Sequence, residues 1–217
     1  MENILFCHIP KTAGTNINYN LSNKENCNYN YYCHYILKYD IHNYKQFYKF
    51  SIIRDPIKKV VSVYFYTIKM INNLIKRKSL KDYQLGNWNK LYNIYKKYNI
   101  NSIFDYLNNY TNIYYDVIFP KINKLKFYNK NYKMEFYYIV LFLPQYLFIC
   151  DDNDKILVDD VFNINNLKVV SEKFNIDLNT NKLNNSKSSD FNIEQINENI
   201  IKKIKYIYKK DYEIFNF

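Results

Sequence analysis

The spacing of apolar and polar residues predicts short buried strands that alternate with amphipathic helices. Apolar runs at 4–9 and 48–53 have the length of buried strands. Each is followed by a segment with helical spacing, at 14–22 and at 57–78. A last amphipathic helix is predicted at 192–209, where isoleucines recur on one stripe. Strands that alternate with helices are typical of an α/β protein with a mainly parallel sheet.

The segments between these elements carry weaker patterns. Residues 23–34 are rich in Asn and Tyr, and we expect them to be irregular. Further strands are predicted at 146–150 and 156–162. Ser102 is expected to cap a short helix at 103–109.

The turn after the first predicted strand has the composition of an anion site. Residues 8–16 read HIPKTAGTN and lead into the first predicted helix. Amide groups at a helix start attract negative charge. Lys11 adds a cation, Thr12 and Thr15 add hydroxyl donors, and Gly14 lets the backbone approach a ligand closely.

This turn differs from the common nucleotide loops. In a Walker A motif the lysine follows the second glycine, whereas Lys11 precedes Gly14. The turn instead resembles the 5′-phosphosulfate loop of sulfotransferases that use 3′-phosphoadenosine 5′-phosphosulfate (PAPS), of the carbohydrate and heparan-sulfate type, which typically reads HIPKTAGTS. The resemblance implies that the loop binds PAPS. The loop residues concerned are Lys11, Thr12, Ala13, Gly14, Thr15 and Asn16.

A second motif follows the predicted strand at 48–53. Arg54 stands at the strand end, and Pro56 suits the first turn of the next helix. Ligands of open α/β sheets lie beyond the carboxyl ends of the strands, so we expect Lys11 and Arg54 at one edge.

Residues 50–64, FSIIRDPIKKVVSVY, resemble the 3′-phosphate motif of the same family, R-[DN]-P-x-x-R-x-x-S-x-Y. The resemblance implies that Arg54 and Ser62 bind the 3′-phosphate of PAPS. Lys59 replaces the usual arginine, which keeps the charge and loses the bidentate fork.

The resemblance extends more weakly over the rest of the chain. Pro144-Gln145 is similar to a P-Q dipeptide of the family, while Asn165 replaces a frequent glutamate. The loop that closes over the nucleotide in relatives corresponds to Asn184, Ser186 and Lys187. A C-terminal signature of the family corresponds to Tyr208, Asp211, Phe215 and Phe217.

The resemblance implies a single P-loop-like domain over 1–217, with three layers and a central, mainly parallel sheet flanked by helices. Its reaction would be in-line transfer of a sulfuryl group from PAPS to an acceptor hydroxyl, which family analogy places on a carbohydrate. Lys11 would stabilise the leaving phosphate, and His34 would be the base, as in several relatives. His42 or a carboxylate, Glu25 or Asp40, are the alternatives for the base.

Composition restricts the partners and the compartment. The net charge of +11 favours polyanions such as PAPS or an acidic acceptor, but the lysines are dispersed, which disfavours nucleic acid. The four cysteines form no C-x-x-C pair, so we expect no metal site. We expect the cysteines to be free thiols, although Cys27 and Cys33 could form a disulfide. A strand beginning near Ile4 and the lack of a long apolar run predict a cytoplasmic protein without a membrane span.

Two other functions fit parts of the pattern. A P-loop-like nucleotide kinase would also use a phosphate-binding turn, although its lysine would be placed differently. A non-catalytic basic module for polyanions would need only the charge. The sequence leaves the acceptor and the oligomeric state open.

Overall fold

The computed structural model describes residues 2–25, 27–76, 82–122, 137–178 and 191–217. In these residues a parallel four-stranded sheet has the order β2-β1-β3-β4. The strands are β1 (Glu2–His8), β2 (Cys27–Cys33), β3 (Tyr48–Ile53) and β4 (Asp160–Asn163). The sheet confirms the predicted α/β class with a parallel sheet. Asn184, Ser186 and Lys187 lie outside the described residues.

Helices of very different length connect and follow these strands. The longer ones are α1 (Gly14–Ser22), α2 (Pro56–Ile75), α3 (Asp82–Lys97) and α4 (Ile103–Ile113). A π-helical segment (Tyr114–Ile118) leads into the single turn α5 (Phe119–Ile122). Two further single turns are α6 (Tyr137–Val140) and α7 (Tyr146–Ile149). The last helices are α8 (Leu167–Phe174), α9 (Glu198–Ile207) and α10 (Lys209–Phe215). Ser102 caps α4 in a capping box with Asp105, as predicted.

The chain divides into two compact units. The first consists of the described parts of Met1–Asp55, Pro144–Asn185 and Ile214–Asn216, and it holds the sheet. The second consists of the described parts of Pro56–Leu143 and Ser186–Glu213, together with Phe217. The prediction of one domain over 1–217 stays a prediction.

An apolar core fixes α1 and α8 against the sheet in the first unit. Ile4 and Phe6 of β1 and Phe50 and Ile52 of β3 are almost completely buried. Helix residues and a following loop complete the cluster: Ile17, Leu21, Val170, Phe174, Ile176 and Leu178. This packing holds the carboxyl ends of β1 and β3 at neighbouring positions on one edge.

Several predicted elements differ from the structure, and the strand predicted at 156–162 is confined to β4. Residues 27–33 form the edge strand β2 rather than irregular structure, because Tyr29 and Tyr31 pack on the core while Asn28 is exposed. The alternation of Asn and Tyr was the available signal, since tyrosine favours strands. Tyr146–Ile149 forms a helical turn rather than a strand. The prediction failed because so short an apolar run shows no period that distinguishes a helix from a strand.

Candidate functional site

The Lys11 turn joins the end of β1 to the start of α1 through unusual backbone angles. Lys11 and Ala13 have φ values of 68° and 64°, in the left-handed region that side chains disfavour. Such angles persist only where the surroundings enforce them, often at binding sites. As the first two helical residues, Gly14 and Thr15 have amides without a carbonyl partner inside α1. Within the described residues no side chain caps this helix, and its first turn has no acidic residue.

Two side chains of the turn are used to hold its shape. The Thr12 hydroxyl is buried and donates to the Ile9 carbonyl at 2.7 Å. The Asn16 amide donates to the Leu178 carbonyl at 3.2 Å. The Thr12 hydroxyl hydrogen is therefore already used in a hydrogen bond, so a ligand would have to accept from the backbone amide of Thr12 instead. Thr15, in contrast, has an exposed side chain.

Gly14 makes room for a histidine. A Cβ at this position would lie 1.9 Å from Cδ2 and Nε2 of His8, far closer than atoms can approach. The His8 ring is buried and also stacks on Phe6 and Tyr31. The sequence suggested that Gly14 allows close approach to a ligand, whereas the structure supplies a packing reason for it.

Arg54 follows β3 and meets the Lys11 turn. Its Nη1 donates to the Lys11 carbonyl at 3.2 Å. The buried Gln145 fixes the Arg54 backbone from both sides, since it accepts from the Arg54 amide at 2.9 Å and donates to the Arg54 carbonyl at 2.7 Å. The structure thus brings Lys11 and Arg54 to one edge, and Gln145 gives the P-Q dipeptide a role that sequence reasoning did not find.

The Arg54 guanidinium is largely shielded from solvent. Burial lowers its pKa below the ordinary value, and the neighbouring Asp55 partly opposes that shift. A cation that has lost part of its hydration gains more from a bound anion than a fully solvated one does. The position between β1 and β3 is also where the strand order reverses, the usual ligand position in such sheets.

A group of polar side chains occupies the carboxyl ends of β1 and β2. His34 directly follows β2 with a φ of 63°, and its ring centroid lies 4.4 Å from that of His8. Nδ1 of His8 lies 2.5 Å from the Tyr31 hydroxyl and 3.8 Å from Sγ of Cys33. Both histidines are buried. The sequence predicted no metal constellation, yet His8, Cys33 and His34 are a group that could hold an ion.

The alternative bases are placed differently. Glu25 is exposed on the turn before β2, and β2 is about 20 Å long, so Glu25 lies at the sheet edge opposite Lys11. Asp40 accepts a hydrogen bond from Tyr32 at 2.7 Å. His42 is exposed on a 3-10 turn, Ile41–Tyr44. The same strand separates Cys27 from Cys33, which excludes the disulfide considered above.

The family model for the sulfotransferase family matches residues 1–217. The chain belongs to the sulfotransferase family, of the family 2 type. A search of curated proteins and a search of solved structures each returned no match. Membership supports sulfuryl transfer to a hydroxyl-bearing acceptor as the general reaction. Within the described residues no helix has the length and apolarity needed to cross a membrane.

In this member of the sulfotransferase family, Lys59 of the second motif is an interior residue of the second unit. Its side chain is fully buried, donates to the Leu143 carbonyl at 2.5 Å and lies 5.6 Å from the centre of the Tyr208 ring. Burial lowers the Lys59 pKa to about 8, and attraction to the buried Asp211 opposes the shift. Ser62, on the same helix, is also buried.

The C-terminal signature supplies the surroundings of Lys59. The Tyr208 hydroxyl donates to the Phe142 carbonyl at 2.7 Å and lies 2.5 Å from the Tyr110 hydroxyl. Tyr208 is the C-cap of α9, so the helix predicted at 192–209 is confined to Glu198–Ile207 and follows a 3-10 turn at Ile193–Gln195. Tyr208 and Asp211 therefore have a structural role inside this unit.

Proposed function

We propose that this sulfotransferase transfers the sulfuryl group of PAPS to a hydroxyl of a carbohydrate acceptor. The 5′-phosphosulfate would bind to Lys11 and the amides at the start of α1, and the 3′-phosphate would bind to Arg54. The observation that carries this proposal is the hydrogen bond from Arg54 Nη1 to the Lys11 carbonyl. Two cationic residues at one edge suit two phosphates carried by one ribose.

The local residues fit an anionic donor. The amides of Gly14 and Thr15 have no partner inside α1, and the first turn lacks an acidic side chain within the described residues. The dipole of the nine-residue α1 favours negative charge at this end. Gln145 fixes the Arg54 backbone and the Lys11 carbonyl accepts from Nη1, so the fold already restricts this side chain and lowers the entropy cost of ordering it around a ligand.

Lys11 would act on charge that develops during transfer. Sulfuryl transfer resembles phosphoryl transfer, in which positioning and electrostatic stabilisation supply most of the catalysis. As the leaving phosphate gains negative charge, a fixed ammonium group beside it lowers the barrier. The left-handed backbone of Lys11 and the contact of its carbonyl with Arg54 fix the point from which this side chain extends.

His34 is our proposed base. It lies at the carboxyl edge beside β1, whereas Glu25 lies at the opposite edge and His42 is on an exposed turn. A neutral imidazole can take the acceptor proton as the new O–S bond forms. We expect His34→Gln to lower turnover with little loss of nucleotide binding, and His42→Gln to change neither.

Ser62 and the loop residues Asn184, Ser186 and Lys187 stay in the proposal on the strength of the motifs. The carbohydrate acceptor likewise comes from the family type. The proposal requires no metal for the transfer step itself, because the cationic side chains supply the charge.

Ligand-dependent thermal stability tests the donor. We expect 3′,5′-ADP to raise the melting temperature well above the effect of ATP or 5′-AMP, because a ligand of the native state stabilises it. Lys11→Ala and Arg54→Ala should remove this response. Lys24→Ala is the matched control, since Lys24 follows the carboxyl end of α1, remote from Gly14.

Two outcomes would contradict the proposal. A larger response to ATP than to 3′,5′-ADP would favour the nucleotide kinase. Binding of 3′,5′-ADP without transfer of radiolabelled sulfate from PAPS to any of a panel of glycans, lipids and tyrosine peptides would favour a binding module.

A further inference from the structure

The carboxyl ends of β1 and β2 bring three metal-binding side chains into one corner of the first unit. His8 ends β1, Cys33 ends β2, and the two are register partners in the parallel ladder. Partners in a parallel pair project to the same face of the sheet. His34 comes next in the chain and packs on His8.

The distances suit coordination after a small adjustment. Nδ1 of His8 lies 3.8 Å from Sγ of Cys33, and one ligand atom from each of the three residues lies within 4.8 Å of the other two. Ligand atoms of a tetrahedral zinc site are about 3.5 Å apart, given zinc bonds near 2.0–2.3 Å. Side-chain movement of about 1 Å would therefore close the site.

The fold holds two of these ligands in advance. The His8 ring lies against Gly14 through Cδ2 and Nε2, and its Nδ1 faces both the Tyr31 hydroxyl at 2.5 Å and Sγ of Cys33 at 3.8 Å. A cation bound to Nδ1 would take the place of the hydrogen bond from Tyr31. The left-handed φ of His34 turns the chain at the strand end, and its amide donates to the His8 carbonyl at 3.0 Å. A strained backbone that gathers functional groups often marks a site.

We propose that His8, Cys33 and His34 bind a thiophilic divalent cation of the Zn²⁺ class. One thiolate and two imidazoles favour zinc over magnesium or calcium, which prefer oxygen ligands. Binding would release the thiol proton of Cys33 to solvent, because the thiolate is the ligand. Three protein ligands leave the fourth position to water or to the nearby Tyr31 hydroxyl.

Occupation of this site has a consequence for catalysis that rests on the proposed function. A His34 nitrogen bound to a cation cannot also accept a proton, so Zn²⁺ would inhibit sulfate transfer. The inhibition would be reversed by a chelator. The binding experiments below need no activity and therefore test the site even if the proposed base is wrong.

Cobalt reports the site directly in the wild-type protein. We expect Co²⁺, added to the chelator-treated full chain, to give a thiolate-to-cobalt charge-transfer absorption band at one equivalent, and Zn²⁺ to abolish it. Bound Zn²⁺ should also slow alkylation of Cys33 at least 10-fold, measured by peptide mass spectrometry, and leave the rate at Cys27 unchanged. Neither measurement depends on a variant that folds.

Matched variants locate the ligands. Cys33→Ser should remove the band and weaken Zn²⁺ binding by about 100-fold or more, since even outer partners of metal ligands contribute 10–100-fold. Cys27→Ser changes the other end of the same strand and should leave the band intact. His34→Ala should weaken binding at least 10-fold, whereas His42→Ala should not change it.

The proposal fails if millimolar Co²⁺ gives no thiolate band with the wild-type chain. It also fails if Cys27→Ser removes the band as completely as Cys33→Ser, or if Zn²⁺ protects neither cysteine. Sulfate transfer that is absent with and without chelator, alongside an intact cobalt band, would overturn the proposed function and leave the metal site standing.

Discussion

Lys11 and Lys59 are two lysines of family motifs that the structure treats in opposite ways. Lys11 is half-buried in a left-handed turn beside the start of α1 in the first unit. Lys59 is fully buried in the second unit, where a carbonyl, an aromatic ring and the charge of Asp211 surround it. A lysine in a motif that resembles a phosphate-binding motif does not necessarily bind phosphate, because a buried side chain cannot contact a ligand in solvent.

The physical difference lies in where each charge finds compensation. Lys59 is compensated inside the protein, and the fold bears a desolvation cost that lowers its pKa to about 8. Lys11 stands at a helix start whose dipole repels a cation and attracts an anion. The positive charges of Lys11 and Arg54 at the carboxyl ends of β1 and β3 repel each other, and a bound polyanion would compensate both of them. This difference agrees with the proposal that the first region binds a ligand, whereas Lys59 is part of the interior of the second unit.

Replacing the buried lysine should give the largest effect on stability. Lys59→Met removes the cation that attracts the buried Asp211, and we expect a loss of about 3–5 kcal/mol in the free energy of unfolding. Urea denaturation measures it. Lys58→Met, one residue earlier and exposed, should change stability by no more than about 0.5 kcal/mol. Equal effects of the two changes would break the comparison.

Lys11→Met should show the reverse behaviour. We expect sulfate transfer to fall by about 10²–10³-fold, the usual cost of losing one stabilising donor in a transition state. Thermal unfolding without nucleotide should stay close to wild type, because Lys11 is only half-buried. Lys24→Met is the control for charge. A variant that loses stability and activity together would assign Lys11 to the structure as well.

The two glycines should respond to alanine with opposite signs. Gly14→Ala places a Cβ 1.9 Å from the His8 ring, and overpacking of this kind costs about 1–3 kcal/mol. Gly86 lies exposed within α3, with nothing within 4 Å of its added Cβ, so Gly86→Ala should stabilise by about 0.5–1 kcal/mol. Thermal denaturation of both variants is the measurement. A neutral Gly14→Ala would mean that the His8 ring yields readily.

The smallest predicted effect concerns alkaline pH. Tyr106 is fully buried in the second unit, and burial raises its pKa well above the ordinary value. The unfolded chain releases this proton near pH 10 while the folded chain keeps it, so stability is lost as pH rises above 10. Tyr106→Phe should reduce that loss by about 1.4 kcal/mol per pH unit.

The exposed Tyr206 supplies the control for this titration. Tyr206→Phe should leave the pH dependence unchanged, as followed by urea denaturation between pH 9 and 11. Near pH 7, Tyr106→Phe should cost little, because its hydroxyl has no hydrogen-bond partner within the described residues. Identical pH profiles for wild type and Tyr106→Phe would contradict the role given to burial.

The sequence predicted an element correctly where its hydrophobic pattern was clear or where a recognisable capping residue marked its end. The strand at 48–53 coincides with β3, and the predicted Ser102 cap is present in α4. The edge strand β2 was missed because asparagine disfavours strands, although Asn and Tyr alternate along it. The polar loop with Asn184, Ser186 and Lys187 remains a prediction. Gln145 had a recognisable neighbour in Pro144, but its two bonds to Arg54 span 91 positions of chain.

The sequence by itself determined the family, the parallel α/β class and the two turns that contain Lys11 and Arg54. These depend on short stretches whose residue types fix local geometry: an apolar strand, a turn, and the start of a helix. Only the tertiary structure decided which charges face inward, as with Lys59, and which distant groups meet, as with His8, Cys33 and His34. Burial and strand register are set by the packing of the whole chain, and no local spacing encodes them.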